Sequence, residues 1–105
     1  MTPIAVYTTV ATEEQARTMA RALVERRLAA CAQISAIESF YRWNDEVRND
    51  PEFRLLFKTT DARYAAVEAA IRALHPYELP AIWAVALERV HEPYAAWVDE
   101  CSRGA

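Results

Sequence analysis

Two prolines within one six-residue segment constrain this chain more than any other feature. His75-Pro76-Tyr77-Glu78-Leu79-Pro80 separates a helix-patterned run, Asp61 to Leu74, from a strand-patterned run, Ala81 to Leu87. Pro76 has no N–H and disfavours helical geometry at His75, so the helix must stop there. Pro80 sets an extended entry into the next strand. The connection is short and stiff, and it holds an imidazole, a phenol and a carboxylate close together. A rigid loop of this kind can carry function, because it positions side chains without a mobile backbone. Read simply as a turn between helix and strand, it needs only a capping histidine.

The rest of the chain supplies the partners of that helix and strand. Pro3 to Val10 is β-branched and short, a strand pattern. Thr12 and Gln15 have the spacing of a capping box, followed by Ala16, Met19, Ala20, Leu23, Val24 and Leu28 at helical spacing. Ala32 to Trp43 reads as a long strand whose alternation changes phase at Ile37, which predicts a bulge. The polar stretch from Asn44 to Pro51 is expected to be the turn, and Phe53, Leu55, Phe57 and Thr59 alternate as the partner strand. Asp61 is the expected cap of the second helix, with Tyr64, Val67, Ile71 and Leu74 on its buried face. Ile82 to Leu87 is apolar on both sides, which predicts a central or covered strand. Pro93 opens a last helix on which Tyr94, Trp97, Val98 and Cys101 share a stripe.

The predicted order is β-α-β-β-α-β plus a C-terminal helix, in a single α+β domain over residues 1–105. That is the ferredoxin-like, split βαβ plan. With helices on one face only, the other face is expected to lack cover within the chain and to drive self-association.

Composition removes several function classes. The only glycine is Gly104, so neither a dinucleotide fingerprint nor a P-loop can be built. A net charge of −3 without a basic block argues against nucleic-acid binding. No apolar run is long enough to cross a bilayer. With two cysteines far apart and no secretion signal at the N-terminus, a cytoplasmic location is expected.

Several segments together resemble one family. Glu25-Arg26-Arg27-Leu28-Ala29-Ala30-Cys31-Ala32-Gln33-Ile34 is similar to the helix-to-strand junction of the CutA divalent-cation tolerance proteins. Tyr41-Arg42-Trp43, Val47, and Glu52 leading to Lys58-Thr59-Thr60 resemble their long hairpin. His75-Pro76-Tyr77, Pro80, Tyr94 and Trp97 complete the set in order. The resemblance implies a homotrimer similar in architecture to the PII nitrogen regulators. It also implies a role in tolerance of copper and other divalent ions. The chain departs from the family at Ala81, where members usually have glutamate, and at Val90-His91-Glu92, where a glycine is common. Thr8 and Leu74 stand where some proposed copper binders have cysteine and histidine.

Candidate metal donors for copper or another divalent ion are His75, Cys31 and Glu78. Cys31 is a soft ligand type, but between alanines a free cysteine more often packs as a small hydrophobe. His75 at a helix C-terminus can donate to the last carbonyls, a role that by itself explains it. Lys58 is the sole lysine. With His75, Tyr77, Glu78, Tyr41 and Trp43 it is expected to line a cleft between subunits, either for a small anion or metabolite or as a cemented contact. Tyr41, Trp43, Trp83, Tyr94 and Trp97 are expected interface residues. A Cys31–His75 nucleophile–base pair has no third member or oxyanion loop to complete it, so no enzyme is expected.

Overall fold

The computed structural model describes residues 2–104. Strand β1 (Pro3–Val10) leads to helix α1 (Glu13–Glu25), then β2 (Cys31–Trp43) and β3 (Glu46–Thr60). A 3-10 turn (Asp61–Arg63) precedes α2 (Tyr64–Leu74), β4 (Ile82–Ala86) and α3 (Glu92–Cys101). The sheet is antiparallel with strand order β2-β3-β1-β4. Alternation assigns its two faces. Ile4, Val6 and Val10 of β1 and Leu55 and Phe57 of β3 point to one side, where they cluster with Met19 and Leu23 of α1 and Val67 and Ile71 of α2. Each such side chain, fully buried, contributes about 1.5–3 kcal/mol, and together they hold both helices on that face.

Helix α1 begins as its sequence predicts. Thr12 accepts from the Gln15 N–H at 3.1 Å, and the Gln15 side chain accepts from the Thr12 N–H at 3.2 Å. It ends sooner than its apolar spacing suggests. Arg27 takes a left-handed conformation, φ 58°, while Arg27 N–H bonds Val24 O and Leu28 N–H bonds Leu23 O. This is a Schellman stop built without the usual glycine.

The hairpin differs from expectation in two ways. Its turn is only Asn44-Asp45, both at positive φ, and β3 starts at Glu46. A two-residue turn with both centres left-handed matches the twist of its strands, so the polar residues that follow are free to pair. No bulge occurs at Ile37: every residue from Cys31 to Trp43 faces one residue of β3 in unbroken register. The phase change marks a switch in which face carries apolar groups, from Ala32, Ile34 and Ala36 on the helix side to Ile37, Tyr41 and Trp43 on the other. Pro51 is accommodated because β1 pairs only with Phe53–Thr60, leaving one side of Pro51 without a neighbouring strand. The hairpin stretches the chain to 45 × 27 × 21 Å, with a radius of gyration of 14.2 Å. A compact chain of this length would have about 13 Å.

Four further expectations are corrected. β4 lies at an edge, not in the centre, and Trp83 and Val85 are 47% and 43% exposed. Its two-sided apolar pattern therefore faces outward on an open strand. The second sheet face is not bare, because α3 packs against β1 and β3. Ala5 and its partner Lys58 point away from the main core, yet Ala5 is buried and Lys58 Nζ lies 5.4 Å from the Tyr94 ring centre. Val98 is buried in the same layer. Asp61 does not cap α2; its carboxylate accepts from the Thr2 N–H instead, and the 3-10 turn intervenes. Leu74, at the end of α2, is exposed.

Candidate functional site

Pro76 stops α2 at Leu74 and leaves His75 extended, φ −78° and ψ 132°. From there the imidazole turns back over the end of β1 instead of capping the helix carbonyls. Nδ1 accepts the Tyr77 N–H at 3.2 Å, which assigns the proton to Nε2. Nε2–H then donates to Thr9 O at 2.8 Å, with Thr8 Oγ1 at 3.1 Å. Burial lowers the His75 pKa below its ordinary value, against opposing contributions from the Thr9 carbonyl and Glu52. The ring is a neutral brace between loop and sheet.

Tyr77 completes the loop's attachment. Its hydroxyl donates to Glu52 Oε2 at 2.6 Å, and burial, then the Glu52 carboxylate, push its pKa well above the usual phenol value. A second such pair lies farther along β3, where the Tyr41 hydroxyl donates to Asp50 Oδ2 at 2.5 Å. That bond is the leading cause of a raised Tyr41 pKa. Both phenols remain protonated donors at neutral pH.

Between the hairpin and residues 77–81 lies an open cleft of about 570 Å³. Of the residues singled out from sequence, Tyr41, Trp43, Tyr77 and Glu78 line it. His75 buttresses the loop without lining the cleft. Lys58 lies apart: it pairs with Ala5, whereas Arg54 of the cleft pairs with Thr9, four residues or about 13 Å along the strand. One chain therefore does not bring Lys58 to the cleft.

The expected metal donors are similarly separated. Cys31 is half-buried directly opposite Lys58, and Glu78 is exposed on the loop. Both His75 nitrogens are already engaged. Among the described residues no group of three His, Cys, Asp or Glu side chains is gathered to hold a metal. The donor set of the chain does not fit a closed metal centre.

Sequence reasoning missed Arg48, Glu52 and Arg54, all of which line the cleft. The signal was present: Arg48, Asp50, Glu52 and Arg54 alternate, which places four charges on one face of a strand. Arg48 and Asp50 are hidden because Asn44 to Pro51 reads as a turn; Glu52 and Arg54 fall outside that stretch, and their shared face with Arg48 shows only once β3 extends back to Glu46. Of the expected interface aromatics, Trp83 stacks on Tyr7 at 4.1 Å, and Tyr94 lies 5.5 Å from Trp97. Tyr41, Trp43, Trp83 and Trp97 remain between 38% and 47% exposed.

Comparison with known proteins gives a consistent result. Residues 4–101 match the model of the CutA1 divalent ion tolerance protein. The chain is 45% identical over 96 residues to the divalent-cation tolerance protein CutA of Thermus thermophilus, covering 90% of this chain and 93% of that one. It is 40% identical to the Thermotoga maritima protein of the same name, covering 92% and 96%. The solved structure of the Archaeoglobus fulgidus periplasmic divalent cation tolerance protein CutA superposes with a TM-score of 0.94 at 33% identity, over 96% of this chain and 99% of that one.

Proposed function

The chain belongs to the CutA1 divalent ion tolerance family, and on that premise we propose that it acts in divalent-cation tolerance, copper included, as a homotrimer without catalytic activity. The family match carries this reading. Growth of a strain lacking the gene, with and without copper, tests it; copper sensitivity restored by the wild-type gene is expected, and unchanged growth overturns it.

The trimer is a ferredoxin-like, PII-like assembly in this reading. Support comes from an edge strand bearing exposed Trp83 and Val85 and from a hairpin with Trp43 and Val47 exposed. An open apolar edge is a template for pairing with another chain. Light scattering at micromolar concentration should give three times the chain mass; a monomer overturns the assembly. Copper binding by this protein is weak, because a metal on His75 must displace the Tyr77 N–H or the Thr9 carbonyl. A second reading, a sensor of a small anion or metabolite between subunits, is favoured by one observation: the cleft has aromatic walls and arginines with no ion-pair partner among the described residues.

A further inference from the structure

Cys31 and Cys101 lie far apart in sequence, yet α3 brings them to one corner of the sheet. Cys31 is the first residue of β2 and stands directly opposite Lys58, which in turn faces Ala5 of β1. These three residues share the sheet face that α3 covers. Leu87 N–H donates to Pro3 O, so the chain leaves β4 at the same end of the sheet. From there α3 spans about 15 Å, roughly three strand spacings, enough to cross from the β4 side to the β2 side. Its far end is tied to the segment that leads into β2. The Arg27 guanidinium donates to Glu100 O at 3.4 Å, and Gly104 N–H donates to Arg27 O at 2.9 Å. Ser102 is buried and its hydroxyl donates to Val98 O at 2.7 Å, which fixes the last turn of the helix. Cys101 lies in that turn, two turns along from Tyr94, whose ring meets Lys58 beside Cys31. Both thiols are free and half-buried.

We propose that Cys31 and Cys101 are the two halves of a redox latch, which a peroxide closes into an intramolecular disulfide that fastens α3 to the start of β2. One thiolate attacks a peroxide oxygen, the O–O bond breaks, and the departing oxygen leaves as water after taking up a proton. The second thiolate then attacks the sulfur of the resulting sulfenic acid. The S–S bond forms, the S–O bond breaks, and a second water leaves. Two electrons pass from the thiol pair to the peroxide, and a dithiol reductant returns them. Half-burial leaves both thiols open to a reagent as small as peroxide. A disulfide holds its two Cα atoms within about 7 Å, so closing the bond draws the last turn of α3 against β2. The cross-link also closes most of the chain into one loop, the case in which it removes the most disorder from the unfolded state. The latch is separate from the cleft and from the divalent-cation reading.

The test is treatment of the full protein with hydrogen peroxide, then iodoacetamide, read by intact mass and non-reducing electrophoresis. The expected product is lighter by two hydrogens, carries no alkyl group, migrates as a single chain and reverts with dithiothreitol. Cys31→Ser and Cys101→Ser should each fail to give it. The oxidised wild type should melt about 5–10 °C above the reduced protein, with no such gain in either variant. Two alkylated thiols after peroxide, sulfinic acid in place of the cross-link, or a disulfide joining two chains overturns the proposal. An intramolecular bond that leaves the melt unchanged shows that α3 has not been fastened and overturns it equally.

Discussion

Tyr77 donates its phenol hydrogen to Glu52, 25 residues away in sequence, at 2.6 Å. This bond fastens the proline-bracketed loop to the hairpin and closes one side of the cleft. From the backbone side, His75 holds the same tyrosine by accepting its N–H. The loop's rigidity therefore has two sources, the prolines in the sequence and a tyrosine clamped at both ends.

Removing the hydroxyl measures the first clamp. Tyr77→Phe should lower stability by about 1 kcal/mol, since a bond to a charged acceptor contributes but a half-exposed pair is partly screened. Glu52→Gln with Tyr77→Phe should cost less than the sum of the single changes in denaturant melts. Full additivity would show that the two side chains do not act as a pair.

The His75 brace should make stability depend on pH. Its folded pKa lies below the ordinary 6.5, so between the two values the unfolded chain holds a proton that the folded chain does not. Stability from this group is then complete above about pH 6.5 and is lost as pH falls through the folded value. Protonating Nδ1 also turns an acceptor into a donor facing the Tyr77 N–H. His75→Gln should flatten the pH dependence relative to wild type just below pH 6.5 in thermal melts; parallel curves would remove His75 as its source.

Arg27 offers a stabilising change. Its left-handed backbone costs an ordinary residue roughly 1–2 kcal/mol, and glycine avoids that cost while adding freedom to the unfolded chain. Arg27→Gly also gives up a 3.4 Å contact from the guanidinium to Glu100 O. A net gain of about 0.5–1 kcal/mol is expected in denaturant melts. A loss would mean that the link to α3 outweighs the strain.

Lys58 tests how α3 is held on the sheet. Loss of its contact with the Tyr94 ring in Lys58→Ala should cost about 0.5–1 kcal/mol and leave the mass by light scattering unchanged. Dissociation of an assembly in this variant would instead make Lys58 a bridge between copies.

Local patterns in the sequence determined most of the elements. The capping box at Thr12, the helix stop at Pro76, the buried Leu55-Phe57-Thr59 alternation and the order of strands and helices are all written in neighbouring residues. These features follow from backbone geometry and a single-sided core, which act over a few residues and leave a readable period. What only the tertiary structure decided depends on which surface covers which. β4 lies at an edge despite its central-looking pattern, α3 crosses the second face, and the polar run after Asp45 is a strand carrying the cleft's charges. His75 turns to β1 because Thr9 presents a carbonyl there, and Lys58 is separated from the loop because antiparallel register places it at the opposite end of β3. Burial and register are set by partners far along the chain, so the same apolar or charged residue reads alike in sequence whether or not another element comes to cover it.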